Sequence, residues 1–308
     1  MTTRVDPVDD RRLRRTSSAC AVAAGLVLVL ASAPTGAASG FPTPSPTSTT
    51  SAGGGPGVRL PPVGAGFDYQ LGGPYPPAPG VRVVVRDRTE PPAGVGYDVC
   101  YVNGFQTQPG ESAALLREHP DLVLHVGGKP LVDPGWPDEY LFDTSTPARR
   151  AALVELVRPW VHGCADDGYD AVEIDNLDSF TRSSGRLSAD DNLALAADYA
   201  ALAHDAGLAI GQKNTAEETA RVRAAGYDFA VTESCVEFEE CGTYLAHYDV
   251  VLDVEYVDEL GADAFPAACA DPDRPSSMVL RDHDLLTPGE PGFVVRHCPG
   301  SAGPRCRR

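Results

Sequence analysis

Gly168-Tyr169-Asp170-Ala171-Val172-Glu173-Ile174-Asp175-Asn176-Leu177-Asp178 is the stretch whose reading decides the fold. With period two, Ala171, Glu173 and Asp175 share one face and Val172 and Ile174 the other. This is the pattern of a strand whose apolar side packs on helices while its opposite side carries acid. A helical segment precedes it and another follows, so parallel neighbours joined by right-handed crossovers are expected. In a sheet closed into a barrel, chemistry sits at the C-terminal ends of the strands, where Asp175 lies with Asn176 and Asp178 just beyond. Acids on an inward face are costly in a dry core, so they should line a wet pocket or hold partners.

Seven further candidate strands, at 69–71, 81–86, 99–102, 209–213, 229–232, 251–255 and 278–281, bring the count to eight, the number that closes a single (β/α)8 TIM barrel. Helices fit between them. Thr146-Pro147 opens one whose stripe is Leu153, Val154, Leu156, Val157, Trp160 and Val161, bent near Pro159. Ser188 with Asp191 resembles a capping box, and Gly207 closes that helix. Shorter helices are expected at 217–225, 239–247 and 259–268. The interval 86–97 leaves little room for a helix, and 122–126 reads as an extra strand or a loop.

Other polar groups gather at strand ends. Lys213-Asn214 ends one strand, and Asp253 and Glu255 share a face with Val251 on another. Glu233 follows Phe229-Ala230-Val231-Thr232, and its parity with Phe229 and Val231 aims it away from the pocket unless the strand has ended or bulged. Gly127-Gly128-Lys129 lacks the phosphate-loop pattern, and no Gly-x-Ser-x-Gly nucleophile elbow occurs.

The ends of the chain are of another kind. A basic start, Arg11-Arg12-Leu13-Arg14-Arg15, precedes an apolar run at 19–33 and small residues at Gly36 and Ala38, which reads as a signal peptide over 1–38. An uncleaved anchor is the alternative, although the run is short for a spanning helix. From Phe41 to Gly57 the composition turns to Pro, Ser, Thr and Gly, and 39–66 is expected to be a disordered linker. That leaves 67–285 for the barrel, which 308 residues at 43 % hydrophobic content can fill, and 286–308 as a C-terminal tail. The formal charge is −18, and without 1–38 it becomes −20, from 20 basic and 40 acidic residues. Nucleic acid is excluded as a partner, because phosphate binding needs a basic surface.

Removal of Cys20 with the signal leaves seven of eight cysteines, and outside the cytosol disulfides are their expected fate. Cys235 with Cys241 is the favoured local bridge and Cys269 with Cys298 the next. A zinc site is the alternative, though neither Cys-x-x-Cys nor neighbouring His pairs occur.

At this point the chain resembles the family-114 glycoside hydrolases, endo-α-1,4-polygalactosaminidases built on a (β/α)8 barrel. The resemblance runs from about Phe67 to Asp282. Tyr69-Gln70-Leu71, Cys100-Tyr101 and Gly135-Trp136-Pro137 with Glu139 and Asp143 carry it, as do Gly168 to Asp178, Lys213-Asn214, Phe229 to Cys235 with Glu240-Cys241, and Val254-Glu255-Tyr256. The chain departs from the family pattern after Tyr101, where it reads Val102-Asn103-Gly104-Phe105. The resemblance implies Asp175 and Glu233 as the catalytic pair, and Gln70, Tyr101, Lys213, Asn214 and Glu255 as cleft-lining substrate contacts. The strand reading adds Glu173, Asn176 and Asp178 to those contacts.

The expectation is therefore a secreted, monomeric glycosidase that acts on an amino-sugar polysaccharide without a cofactor and, once its signal is cleaved, without a membrane. Glu233 would serve as acid/base and Asp175 as nucleophile. A non-catalytic saccharide-binding barrel is one alternative. A metal-dependent hydrolase using Glu173, Asp175 and Asp178 is another.

Overall fold

The computed structural model describes residues 57–299. The expected signal peptide and the expected linker up to residue 56 lie outside the described residues. Eight parallel strands follow one another around a nearly closed barrel: β1 (Gly66–Gln70), β2 (Val81–Asp87), β3 (Tyr97–Asn103), β6 (Ala171–Asp175), β7 (Ala209–Lys213), β8 (Phe229–Glu233), β9 (Val251–Tyr256) and β10 (Ser277–Arg281). Between β3 and β6 stands a separate two-stranded hairpin, β4 (His125–Val126) and β5 (Lys129–Pro130), turned by Gly127 and Gly128, both with positive φ. Arg281 at the end of β10 donates to the Tyr69 carbonyl of β1 and stands 3.6 Å from Asp68, drawing the first and last parallel strands together.

All eight expected strands are present, most within two residues of their sequence bounds. β1 begins earlier, at Gly66. There a Cβ would lie 2.7 Å from the Gly80 carbonyl oxygen, so glycine lets β1 run close against β2. Side chains alternate between two cores. Tyr69, Val99, Ala171, Ala209, Phe229, Val231 and Val254 fill the barrel, while Cys100, Val172, Ile174, Ile210, Ala230 and Val251 face the helices. Phe229 and Val231 thus point inward, and Glu233, sharing their parity, does too. No bulge is needed: large apolar side chains fill the lower layers of the barrel and the acid caps them.

Helix α2 (Pro147–Asp167) starts at Thr146, whose side chain accepts from the Arg149 N–H, and ends at Gly168 with φ 92°. It buries Leu153, Val157 and Val161, with Val154, Leu156 and Trp160 packed partly against the same core. The capping box at Ser188 and Asp191 opens α3 (Ala189–Asp205). The outer layer is otherwise thin. After α1 (Ser112–Glu118), helices α4 (Thr219–Ala224), α5 (Cys241–Leu245) and α6 (Phe265–Ala270) are one or two turns each, shorter than their sequence windows. In the last case Gly261, with φ 85°, and Pro266, which fits only a first helical turn, hold the start back to Phe265.

The barrel unit extends beyond the expected bounds at both ends. Val58 and Leu60 pack against its inner core, and Arg59 pairs with Asp170. In the expected tail, β11 (Val295–His297) joins β10 antiparallel. Disulfides join Cys235 to Cys241, Cys269 to Cys298, and Cys100 to Cys164. The last of these, 64 residues apart, staples β3 to α2.

Candidate active site

Three consecutive strands, β6, β7 and β8, end in Asp175, Lys213 and Glu233, and each of these residues is followed by one in the left-handed region. Asn176 has φ 70°, Asn214 φ 44° and Ser234 φ 58°. Non-glycine residues seldom occupy this conformation, and three in register at one rim mark strain concentrated where the chain leaves the barrel.

The Lys213 ammonium occupies the centre. Its Nζ lies 2.9 Å from Asp175 Oδ2, 3.4 Å from Glu233 Oε2 and 3.3 Å from Glu173 Oε1, and it donates to the Tyr69 hydroxyl at 3.2 Å. The Lys213 side chain is 3 % exposed and that of Glu173 fully buried, whereas Asp175 and Glu233 keep 16 % and 28 % of their side chains in contact with solvent. Burial works against the ammonium, but Asp175, Glu233 and Glu173 outweigh it and hold its proton well above the ordinary lysine range.

Hydroxyls and amides complete the grip. Tyr101 donates to Asp175 Oδ2 at 2.8 Å, and the Asn176 N–H donates to Oδ1. Asn214 Nδ2 donates to Glu233 Oε2 at 3.0 Å while its side-chain oxygen accepts from the Glu233 N–H at 2.8 Å, and Tyr256 donates to Glu233 Oε1. Burial, then the nearby carboxylates, keep the Tyr69, Tyr101 and Tyr256 phenols protonated. Beneath Lys213, Tyr69 donates to Glu173 Oε1 at 2.9 Å, and Glu173 Oε2 has no hydrogen-bond partner among the described residues. Burial, opposed by Lys213, pushes Glu173 up to about 7.

Further polar groups run from Asp175 toward the loop after the hairpin. Asn103, the register partner of Asp175, accepts from Asn176 Nδ2 at 2.7 Å and donates to Glu139 Oε2 at 2.8 Å. Burial raises Glu139 to about 7 against the hydrogen bonds from Gln106 and Asn103. Arg182 bonds Asp133 at 2.7 Å, Asp178 at 2.8 Å and Asn176 at 3.1 Å. Asp133 and Glu139 form the base of a turn, their backbones joined at 3.0 Å, and the tip of that turn carries Trp136, 58 % exposed.

The structure therefore brings together Asp175, Glu233, Tyr101, Glu173, Asn176, Lys213 and Asn214, with Asp178 at the margin through Arg182. Gln70 and Glu255 are not brought to the cleft: both are fully buried on the helix side of their strands. Gln70 bonds Asp68 and Arg86, and Glu255 accepts from the Val236 N–H. Tyr69, Tyr256, Asn103 and Glu139 are the participants that sequence reasoning left out of the site. Tyr69 and Tyr256 carry an inward parity that could have indicated them.

The sequence profile of glycoside-hydrolase family GH114 matches residues 47–303. The chain belongs to family GH114. This family member is, accordingly, a glycosidase with a saccharide partner. Its fold is similar to that of Ega3 from Aspergillus fumigatus, solved in complex with galactosamine, at 20 % identity and TM-score 0.62, covering 78 % of this chain and 98 % of that one. The glycoside hydrolase domain of PelA from Pseudomonas aeruginosa is a more distant likeness, at 16 % identity and TM-score 0.48 over 71 % of this chain and 94 % of that domain. No curated protein matches the chain. Among the described residues no helix is long and apolar enough to cross a membrane.

Proposed function

We propose that this GH114 protein hydrolyses an α-1,4-linked galactosamine polysaccharide with Glu233 as acid/base and Asp175 as nucleophile. The observation that carries the reading is the single buried ammonium, Lys213, touching one oxygen of each carboxylate at an open barrel rim. Glu233 protonates the leaving glycosidic oxygen while Asp175 attacks the anomeric carbon, and Glu233 then takes a proton from the water that releases the sugar. Lys213 holds the near oxygens of Asp175 and Glu233 at 2.9 and 3.4 Å, so the two carboxyl groups face one another across the rim.

Tyr101, Asn176, Asp178, Lys213 and Asn214 are the residues we assign to the substrate side, and Trp136 offers an aromatic face to a sugar ring or its ammonium. Glu173 balances Lys213 from below, and Gln70 buttresses β1 and β2 from outside the barrel. The three acids of the metal-dependent alternative each already hold a protein cation: Glu173 and Asp175 hold Lys213, and Asp178 holds Arg182. The large acid excess favours a cationic, partly deacetylated polymer. The complex of the similar Aspergillus protein with galactosamine points to the same sugar.

The basic start, the apolar run and three disulfides support export of a monomer beginning near Ser39, joined to its barrel by the Pro- and Ser-rich segment. N-terminal sequencing of the secreted protein tests that start. Reducing-end release from α-1,4-galactosamine polymers of graded acetylation tests the activity. Cleavage that increases with deacetylation and weakens with salt is expected, and equal cleavage of fully acetylated polymer with no salt effect would remove charge from the account.

A further inference from the structure

We propose that Asp253 and Glu255, two buried carboxyl groups on the helix side of β9, are positioning residues that aim Glu233 into the cleft. The inference rests on Glu233 acting as the acid/base. Both groups are fully buried and lie on the same face of the strand, two residues apart. They grip the chain on both sides of Glu233. Immediately before it, Thr232 Oγ1 donates to Asp253 Oδ1 at 2.7 Å. Just after it, the Cys235 N–H donates to the same oxygen at 3.3 Å, and the Val236 N–H donates to Glu255 Oε1 at 2.7 Å. Between these clamps sits Ser234 with its φ of 58°, its N–H on the Val254 carbonyl at 2.8 Å and its hydroxyl on Glu259. The direction in which Glu233 leaves β8 is thus set from behind.

The oxygens left over, Asp253 Oδ2 and Glu255 Oε2, are buried and have no hydrogen-bond partner among the described residues. Two bare carboxylates side by side in a dry site repel, so the pair keeps one proton. Burial and then the Asp253 charge raise Glu255, so the proton resides there. Glu233 is the acidic neighbour from β8, and Met278 and Leu280, the β10 register partners, are apolar. No cation among these groups replaces the proton. When it leaves on the alkaline side, the clamp opens behind Glu233.

The test compares wild type, Glu255→Gln and Glu255→Ala on an α-1,4-galactosamine polymer, reading kcat, KM and the pH profile. A glutamine keeps an acceptor for the Val236 N–H and a donor for Asp253. It should retain most of the wild-type kcat and hold it to higher pH than wild type. The alanine variant should lose about 10²-fold in kcat with little change in KM, the cost of a misplaced catalytic group. If Gln loses as much as Ala, if the Gln profile falls at the same alkaline pH as wild type, or if Ala keeps full kcat, the proposal is overturned. Should wild type cleave no such polymer, the hydrolase reading fails and the pair is judged on melting temperature against pH. A decline toward alkaline pH that Glu255→Gln removes supports the shared proton, and equal slopes overturn it.

Discussion

Lys213 Nζ lies 2.9 Å from Asp175 Oδ2, across adjacent strands, and this ammonium is the buried cation on which three carboxylates converge. Removing one partner of a buried ion pair costs about 3–5 kcal/mol, because the other charge is left uncompensated. Lys213→Met should therefore unfold at a distinctly lower denaturant concentration above neutral pH. The loss should shrink on acidification, where Glu173 takes up a proton. Wild-type stability for the Met variant at mildly alkaline pH would show that the ammonium balances nothing.

Glu173 gives stability a pH dependence of definite sign. Its folded-state value is raised from 4.5 to about 7, so the folded protein holds this proton to higher pH than the unfolded chain does. The contribution is full below pH 4.5, declines as pH rises toward 7 and is gone above it, an effect on the order of 3 kcal/mol. Calorimetry of Glu173→Gln across this window should show a flatter melting-temperature curve than wild type. Parallel curves would contradict the assignment.

The disulfides should separate stability from catalysis. In a chain-entropy account, closing the 64-residue separation of Cys100 and Cys164 stabilises by about 4 kcal/mol, and the 6-residue separation of Cys235 and Cys241 by about 2 kcal/mol. Replacing the first pair by alanine should lower the melting temperature more. Replacing the second should lower kcat more, since it ties down the loop that leaves Glu233. The reverse ordering of rates would show that this loop does not hold the site.

Trp136 should act on binding alone. It is exposed on a turn whose base is bonded to Arg182 and Asn103 beside Asp175. Trp136→Ala should raise KM several-fold and change stability by less than about 0.5 kcal/mol. An unchanged KM on long polymer would leave this indole without a role in the cleft.

The eight strands were legible because period-two runs such as Ala171 to Asp175 survive in sequence wherever one face meets helices and the other a polar rim. Asp175 and Lys213 could be read for the same reason. Glu233 resisted the rule only because Phe229 and Val231, read by alternation alone, mark a helix-facing side, whereas a barrel interior also needs bulky fillers below its polar layer. Tyr69 and Tyr256 were hidden by their resemblance to such fillers. Glu139 meets Asn103 across 36 residues, and Cys100 meets Cys164 across 64, separations at which local pattern carries no information. Glu255 lay on the far side of its strand, which the acid count at strand ends does not reveal.

The most direct measurement is reducing-end release from an α-1,4-galactosamine polymer by wild type, Asp175→Asn and Glu233→Gln, with circular dichroism confirming that each is folded. The account predicts measurable turnover by wild type and a loss of at least about 10²–10⁴-fold in each variant, with polymer binding retained. Near-normal rates in either folded variant would contradict it.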